Sequence, residues 1–135
     1  MLRPTTHRDL SVKLWGDHYD SPVVASPIGV QNIFHADGEC GVAEVCAKIG
    51  VPYIASTASG ATMEDIAKAS GNGARWFQLY WPQHKKTTES LLHRAKEAGY
   101  KVLVVTLDTW ALGRSKLALE RLTLLIFFSM ATVGS

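Results

Sequence analysis

Four apolar runs punctuate the chain, and each gives way to a stretch whose apolar residues recur at helical spacing. The runs are Pro22–Ala25, Val51–Ala55, Arg75–Tyr80 and Val102–Leu107. Near-continuous apolar runs such as Val102-Leu103-Val104-Val105 indicate strands covered on both faces, as in parallel sheets. After the first run, Val42, Ala43, Val45, Cys46 and Ile49 fall at helical spacing, with Asp37 ahead and Gly50 behind as start and stop signals. Thr62-Met63-Glu64-Asp65 resembles a capping box, Ile66, Ala67 and Ala69 follow, and Gly71-Asn72-Gly73 ends that helix. A third helix is expected from about Thr87 to Ala98, with Leu91, Leu92, Ala95 and Ala98 on one face and Gly99 behind it. Strand starts recur roughly every 25–30 residues, the length of one βα unit. The fold class is α/β with four successive βα units. Pattern alone fits either part of a (β/α)8 barrel or a small open sheet.

Polar residues close these runs. Ser56 follows the second, Gln78 and Tyr80 end the third, Thr106 and Asp108 end the fourth, and the first gives way to Ser26-Pro27-Ile28-Gly29. In α/β folds the carboxyl ends of parallel strands converge on the face that binds ligands, so the repeated rule looks like one side of a single site. Each residue also has a plainer reading. Ser56 suits a turn, Thr106 a strand, Tyr80 an amphipathic strand end and Asp108 a turn or cap. Gln78 resists such a reading, because an unpaired amide inside an apolar run is costly to bury. His35 reads as structural or exposed, while His84 and His93 fall on a polar loop and a helix and carry no chemistry.

Composition narrows the function classes. At 135 residues the chain suits one domain, and its 47% hydrophobic and 19% charged fractions suit a globular one. A net charge of +2 without a Lys/Arg stripe leaves no footprint for nucleic acid. Cys40 and Cys46, the only cysteines, lack a metal pair's usual spacing and are expected to be reduced thiols. The start lacks the apolar core of a signal peptide, so a cytoplasmic location is expected. Leu122–Val133 is apolar but shorter than the about 20 residues of a membrane-spanning helix, so a membrane role is not expected.

Six short motifs carry a more specific signal: Ser26-Pro27-Ile28-Gly29-Val30-Gln31, Gly38-Glu39, Ser56-Thr57-Ala58-Ser59, Gln78-Leu79-Tyr80, Ala98-Gly99-Tyr100 and Thr106-Leu107-Asp108-Thr109. In this order and at these intervals, over roughly residues 2 to 113, they resemble the FMN-dependent α-hydroxy-acid dehydrogenase/oxidase family. Gln78-Leu79-Tyr80-Trp81-Pro82 and Asp108-Thr109-Trp110-Ala111-Leu112-Gly113 resemble its lactate 2-monooxygenase-like branch most. The resemblance implies a (β/α)8 barrel with FMN at the carboxyl face, of which this chain supplies about the first four βα units. It implies oxidation of an L-2-hydroxy acid, lactate-like, by hydride transfer to the flavin. Pro27, Ile28 and Gly29 would bring main-chain N–H groups to the flavin ring, glycine allowing close approach. Ser56, Gln78 and Thr106 would hydrogen-bond the ring or ribityl groups, glutamine suiting this because its amide donates and accepts. Tyr80 would meet the substrate carboxylate, and Asp108 would support the catalytic histidine.

The same resemblance sets further expectations. The family's catalytic histidine, its lysine near the flavin and its phosphate site match no residues here. Arg114-Ser115-Lys116 places arginine one position early, and residues 114–135 depart from the family's pattern and read as a divergent apolar tail beyond a partial barrel of residues 1–113. The alternative is therefore a catalytically inactive half-barrel or interaction module, associating with itself through open sheet edges. An unrelated barrel binding a phosphorylated ligand would need a glycine-rich phosphate loop, and none is found.

Overall fold

The computed structural model describes residues 8–107. A short hairpin opens the described chain, β1 (Val12–Leu14) antiparallel to β2 (Asp17–Tyr19). Its two connecting residues, Trp15 and Gly16, both have positive φ (49° and 92°), which lets a two-residue loop follow the right-handed twist of the strands. The alternation of Val12 and Leu14 about Lys13 was a faint signal for it, too short to predict a strand. A one-turn 3-10 helix (Gln31–Ile33) precedes α1 (Gly38–Lys48). Then β3 (Tyr53–Ser56), α2 (Met63–Ser70), β4 (Arg75–Tyr80), α3 (Lys85–Glu97) and β5 (Val102–Thr106) follow in strict alternation.

The three later strands form one parallel sheet in the order β3-β4-β5. The expected first strand, Pro22–Ala25, is reduced to a single parallel bridge between Ala25 and Tyr53. Ala25 N–H donates to the Pro52 carbonyl (2.9 Å), and Ile54 N–H donates to the Ala25 carbonyl (3.1 Å). Proline at 22 and 27 removes ladder donors on either side, which confines the pairing to this one residue.

Strand pleating divides the sheet's side chains between two layers. Tyr53, Ala55, Phe77 and Leu79 face the helices, where they pack with Ala43, Cys46, Met63, Ile66, Ala67 and Ala95. Ile66 and Leu79 are fully buried, each contributing about 2 kcal/mol through apolar burial. On the opposite face Ile54, Trp76 and Val102 stand in register, and the hairpin's Val12, Leu14 and Tyr19 cover them. Trp15 meets Trp76 edge-on at 4.8 Å between ring centroids. The hairpin thus covers the amino-terminal half of this face. The carboxyl ends of the strands lie beyond it.

Helix boundaries fall where the local chemistry puts them. Thr62 caps α2 as expected, its Oγ1 accepting from Asp65 N–H at 3.1 Å and donating to the Asp65 carboxylate at 2.6 Å. Asp37, expected to start α1, makes no side-chain cap bond; its carboxylate lies instead 3.5 Å from His35 Nδ1. Arg75, the first residue of β4, fastens two helix ends, donating to the carbonyls of Gly71 (2.7 Å) and Ala98 (3.0 Å). Cys40 and Cys46 are free thiols. Among the described residues no helix is long and apolar enough to cross a membrane. No group of His, Cys, Asp and Glu among them could hold a metal ion.

Candidate functional site

The register of the sheet places Ser56 beside Gln78, and Tyr80 beside Thr106, on the face that the hairpin leaves uncovered at its carboxyl end. Three of the sequence-selected residues meet in one chain of hydrogen bonds. Ser56 Oγ donates to Gln78 Oε1 (3.2 Å), and Gln78 Nε2 donates to Thr106 Oγ1 (2.8 Å). The chain therefore runs across all three strands. The loop after β3 is tied to it, since Thr57 N–H donates to Gln78 Oε1 (3.2 Å) and Ala58 N–H to Ser56 Oγ (3.1 Å). Thr57 Oγ1 bonds the Gln78 carbonyl and accepts from Tyr80 N–H (3.1 Å).

Gln78 is only 1% exposed, so its amide is a strut within the sheet. Its oxygen is occupied twice and one amide hydrogen is taken, which leaves one hydrogen uncommitted among the described residues. Thr106 is half-buried, and its own hydroxyl hydrogen is uncommitted among the described residues. Tyr80 is 40% exposed. Asp108 lies outside the described residues, as does the 114–135 segment.

The loop of Pro27, Ile28 and Gly29 packs against the loop after β3. Val30 N–H donates to the Ala58 carbonyl at 3.0 Å. A Cβ at Gly29 would stand 2.7 Å from that same oxygen, so glycine is needed here for backbone-to-backbone approach. Neither Ile28 nor Gly29 donates its N–H to any described residue, and Ile28 is exposed. Val30 adopts left-handed φ 50° and ψ 44°, an uncommon conformation for a β-branched residue and one that signals local strain.

Two residues outside the selected set hold this loop. Gln31 Nε2 donates to the Ile28 carbonyl and to Tyr53 Oη, both at 3.0 Å. Glu39 Oε1 accepts from the N–H groups of Gln31 (2.9 Å) and Gly60 (2.8 Å), joining the two strand-to-helix loops. Burial by itself raises the Glu39 carboxyl, but the N–H groups of Gly60, Gln31 and Glu39 itself outweigh it and hold the group below the usual carboxylate range. The Ser59 hydroxyl, buried beside it, makes no well-formed hydrogen bond among the described residues. Burial pushes the Tyr53 phenol up to about 12, so it stays a neutral partner for Gln31. Gly38-Glu39 contributes to the family resemblance, yet nothing in the residue pattern separated Glu39 from an ordinary acidic residue in a first helical turn. The signal available was its place between two predicted loops.

His35 is exposed, as expected, and so are His84 and His93. The face therefore offers short neutral donors and acceptors, an exposed phenol and free loop amides, without a described charged group among them.

Known proteins resemble this chain. The profile of the FMN-dependent dehydrogenase family matches residues 1–132. The FMN-dependent alpha-hydroxy acid dehydrogenase qulF of Penicillium citrinum is 52% identical over 113 residues, 84% of this chain and 28% of its own length. L-lactate oxidase of Lysinibacillus sphaericus is 36% identical over 112 residues, 83% of this chain and 29% of its own. Among solved structures, mandelate oxidase with (S)-2-phenylpropionate superposes with a TM-score of 0.79 at 34% identity, covering 90% of this chain and 36% of that one. The chain thus spans under a third of the length of these two sequence relatives. The strand-end residues and the profile lead to the same place: this chain belongs to the FMN-dependent dehydrogenase family.

Proposed function

We propose that the described residues form one wall of an FMN site in a protein that oxidises an L-2-hydroxy acid, on the first βα units of a (β/α)8 barrel. The observation that carries this reading is the Ser56–Gln78–Thr106 chain across three strand ends, beside loop amides at Ile28 and Gly29 that have no partner among the described residues. The fit to a flavin is chemical. A flavin ring edge alternates acceptors and donors, and what faces it here is neutral: two backbone N–H groups, the Thr106 hydroxyl and one Gln78 amide hydrogen. Bound FMN would supply the acceptor for the hydride leaving the acid's α-carbon.

The chain's own residues would bind and orient. Tyr80, whose phenol is partly exposed at the end of β4, would donate to the substrate carboxylate. Asp108, two residues past the end of β5, would support the histidine that takes the hydroxyl proton, a residue that matches none of these 135. A lactate-like acid is the finer reading, supported by the likeness to L-lactate oxidase. The described residues hold no anion cradle for a phosphate, so binding should be directed at the ring.

A fluorescence titration of the 135-residue chain with FMN and with riboflavin tests this. Both should be quenched saturably, with affinities within about threefold of each other. Gln78→Leu should weaken both by about tenfold, the equivalent of one hydrogen bond. Adding L-lactate to the FMN-loaded chain without oxygen would then show whether flavin absorbance bleaches. A wild-type chain that quenches neither flavin refutes the proposal.

A further inference from the structure

Glu39 is the most deeply buried acidic residue described, 1% exposed, and no described cation pairs with it. A buried carboxylate without a cation is expensive unless several N–H groups serve it. An acid that merely complements a helix start needs no such burial and would take its bonds from its own first turn. Its own N–H helps hold the charge, but the two well-formed side-chain bonds of Glu39 come from outside its helix, from Gln31 on the loop before α1 and Gly60 on the loop before α2.

Those two loops meet along a continuous seam. At one end Gly29 lies against the Ala58 carbonyl, and Val30 N–H bonds it. In the middle the Asn32 side chain fills the space a Cβ at Gly60 would take, at 2.8 Å, while within its own segment Asn32 N stands 3.3 Å from a Cβ at Gly38. Glu39 closes the other end. The strained residue, Val30, sits one position before Gln31 and one after Gly29. A left-handed valine persists only where its surroundings over-determine it.

We propose that Glu39 is a positioning residue for the flavin-facing loop. By accepting N–H groups from both loops it holds Val30 in its strained conformation, which leaves the Ile28 and Gly29 N–H groups without an acceptor among the described residues. This rests on the flavin reading above, and it adds a residue two shells of contact away from the flavin.

Amide hydrogen exchange resolved by NMR on the full chain tests it without needing FMN. Glu39→Ala should speed exchange at Gln31 and Gly60 by at least about tenfold while Phe77 and Leu79 in β4 keep their protection. Glu39→Gln keeps an oxygen acceptor and should stay within about threefold of wild type. Val30→Gly removes the strain, so adding Glu39→Ala to it should change loop exchange at least about threefold less than in the wild-type background. FMN quenching should weaken in Glu39→Ala and be restored in Glu39→Gln. Unchanged exchange at Gln31 and Gly60 in Glu39→Ala overturns the clamp, and so does equal acceleration throughout β4. Should Glu39→Ala fail to fold, Glu39→Asp carries the same expectations, since it keeps the charge but withdraws the oxygens by one methylene. A wild-type chain that leaves FMN unquenched refutes the cofactor reading, while the exchange rates still decide the clamp.

Discussion

Replacing Gln78 by leucine isolates the value of the strand-end chain. The side chain is 1% exposed, so leucine is buried too, and its similar size leaves little cavity. Two donors lose their acceptor: the Ser56 hydroxyl and the Thr57 N–H. Thr106 loses a donor but is half-buried, and water can replace it. At about 2 kcal/mol for each stranded donor the loss is roughly 4 kcal/mol. Burying an apolar side chain in place of an amide returns roughly 2 kcal/mol. The net destabilisation is then about 2 kcal/mol, near 10 °C in melting temperature for a domain of this size. Gln78→Ala forgoes the apolar return and opens a cavity, so it should lose at least about 2 kcal/mol more. Urea unfolding at constant slope gives the comparison, and a cycle with Ser56→Ala should show a coupling of about 1 kcal/mol. A Gln78→Leu chain as stable as wild type would refute the reasoning, because apolar burial alone would then account for the site's rigidity.

Three further outcomes follow from the same contacts. Gly29→Ala puts a Cβ 2.7 Å from the Ala58 carbonyl and should cost about 1–3 kcal/mol in urea unfolding, with loss of protection at Val30 N–H. The native Glu39 carboxyl titrates below its ordinary 4.5, so its contribution is complete above that value and lost as pH falls through the depressed one. Melting temperatures from neutral pH to pH 3 should therefore fall less steeply in Glu39→Gln than in wild type below about pH 4.5. Glu64 and Arg94 join α2 to α3 through two 2.9 Å bonds, but both side chains are well exposed. Glu64→Gln should lose less than about 1 kcal/mol, and high salt should erase most of that difference.

The fold was largely legible because periodicity reports burial. Arg75–Tyr80 is a strand at both predicted ends, and the helix predicted from Thr87 begins only two residues earlier, at Lys85. What pattern could not supply was pairing. Pro22–Ala25 has strand-like apolarity, yet its ladder depends on donors that the flanking prolines lack, and only Ala25 pairs. The hairpin from Val12 to Tyr19 was missed for the opposite reason: three-residue strands are shorter than any period can reveal, and their stability comes from Trp76, which lies far along the chain.

The site divides by the same logic. Ser56, Gln78, Thr106 and Tyr80 stood out because each is polar where an apolar strand ends, and parallel register necessarily brings such positions together. Gln78 was the sharpest of them, since an amide in an apolar run demands partners, and it has them in Ser56, Thr57 and Thr106. Glu39 and Gln31 gave no such contrast. Glu39 stands in a first helical turn and Gln31 in a loop, where glutamate and glutamine are unremarkable, and their burial arises only when two loops distant in sequence close over them. A residue proposed to contact a ligand is thus visible against its own element. A residue that fixes the loop bearing the ligand contacts is visible only in the folded seam, and its loss should be felt first in loop exchange and in flavin affinity, ahead of the sheet.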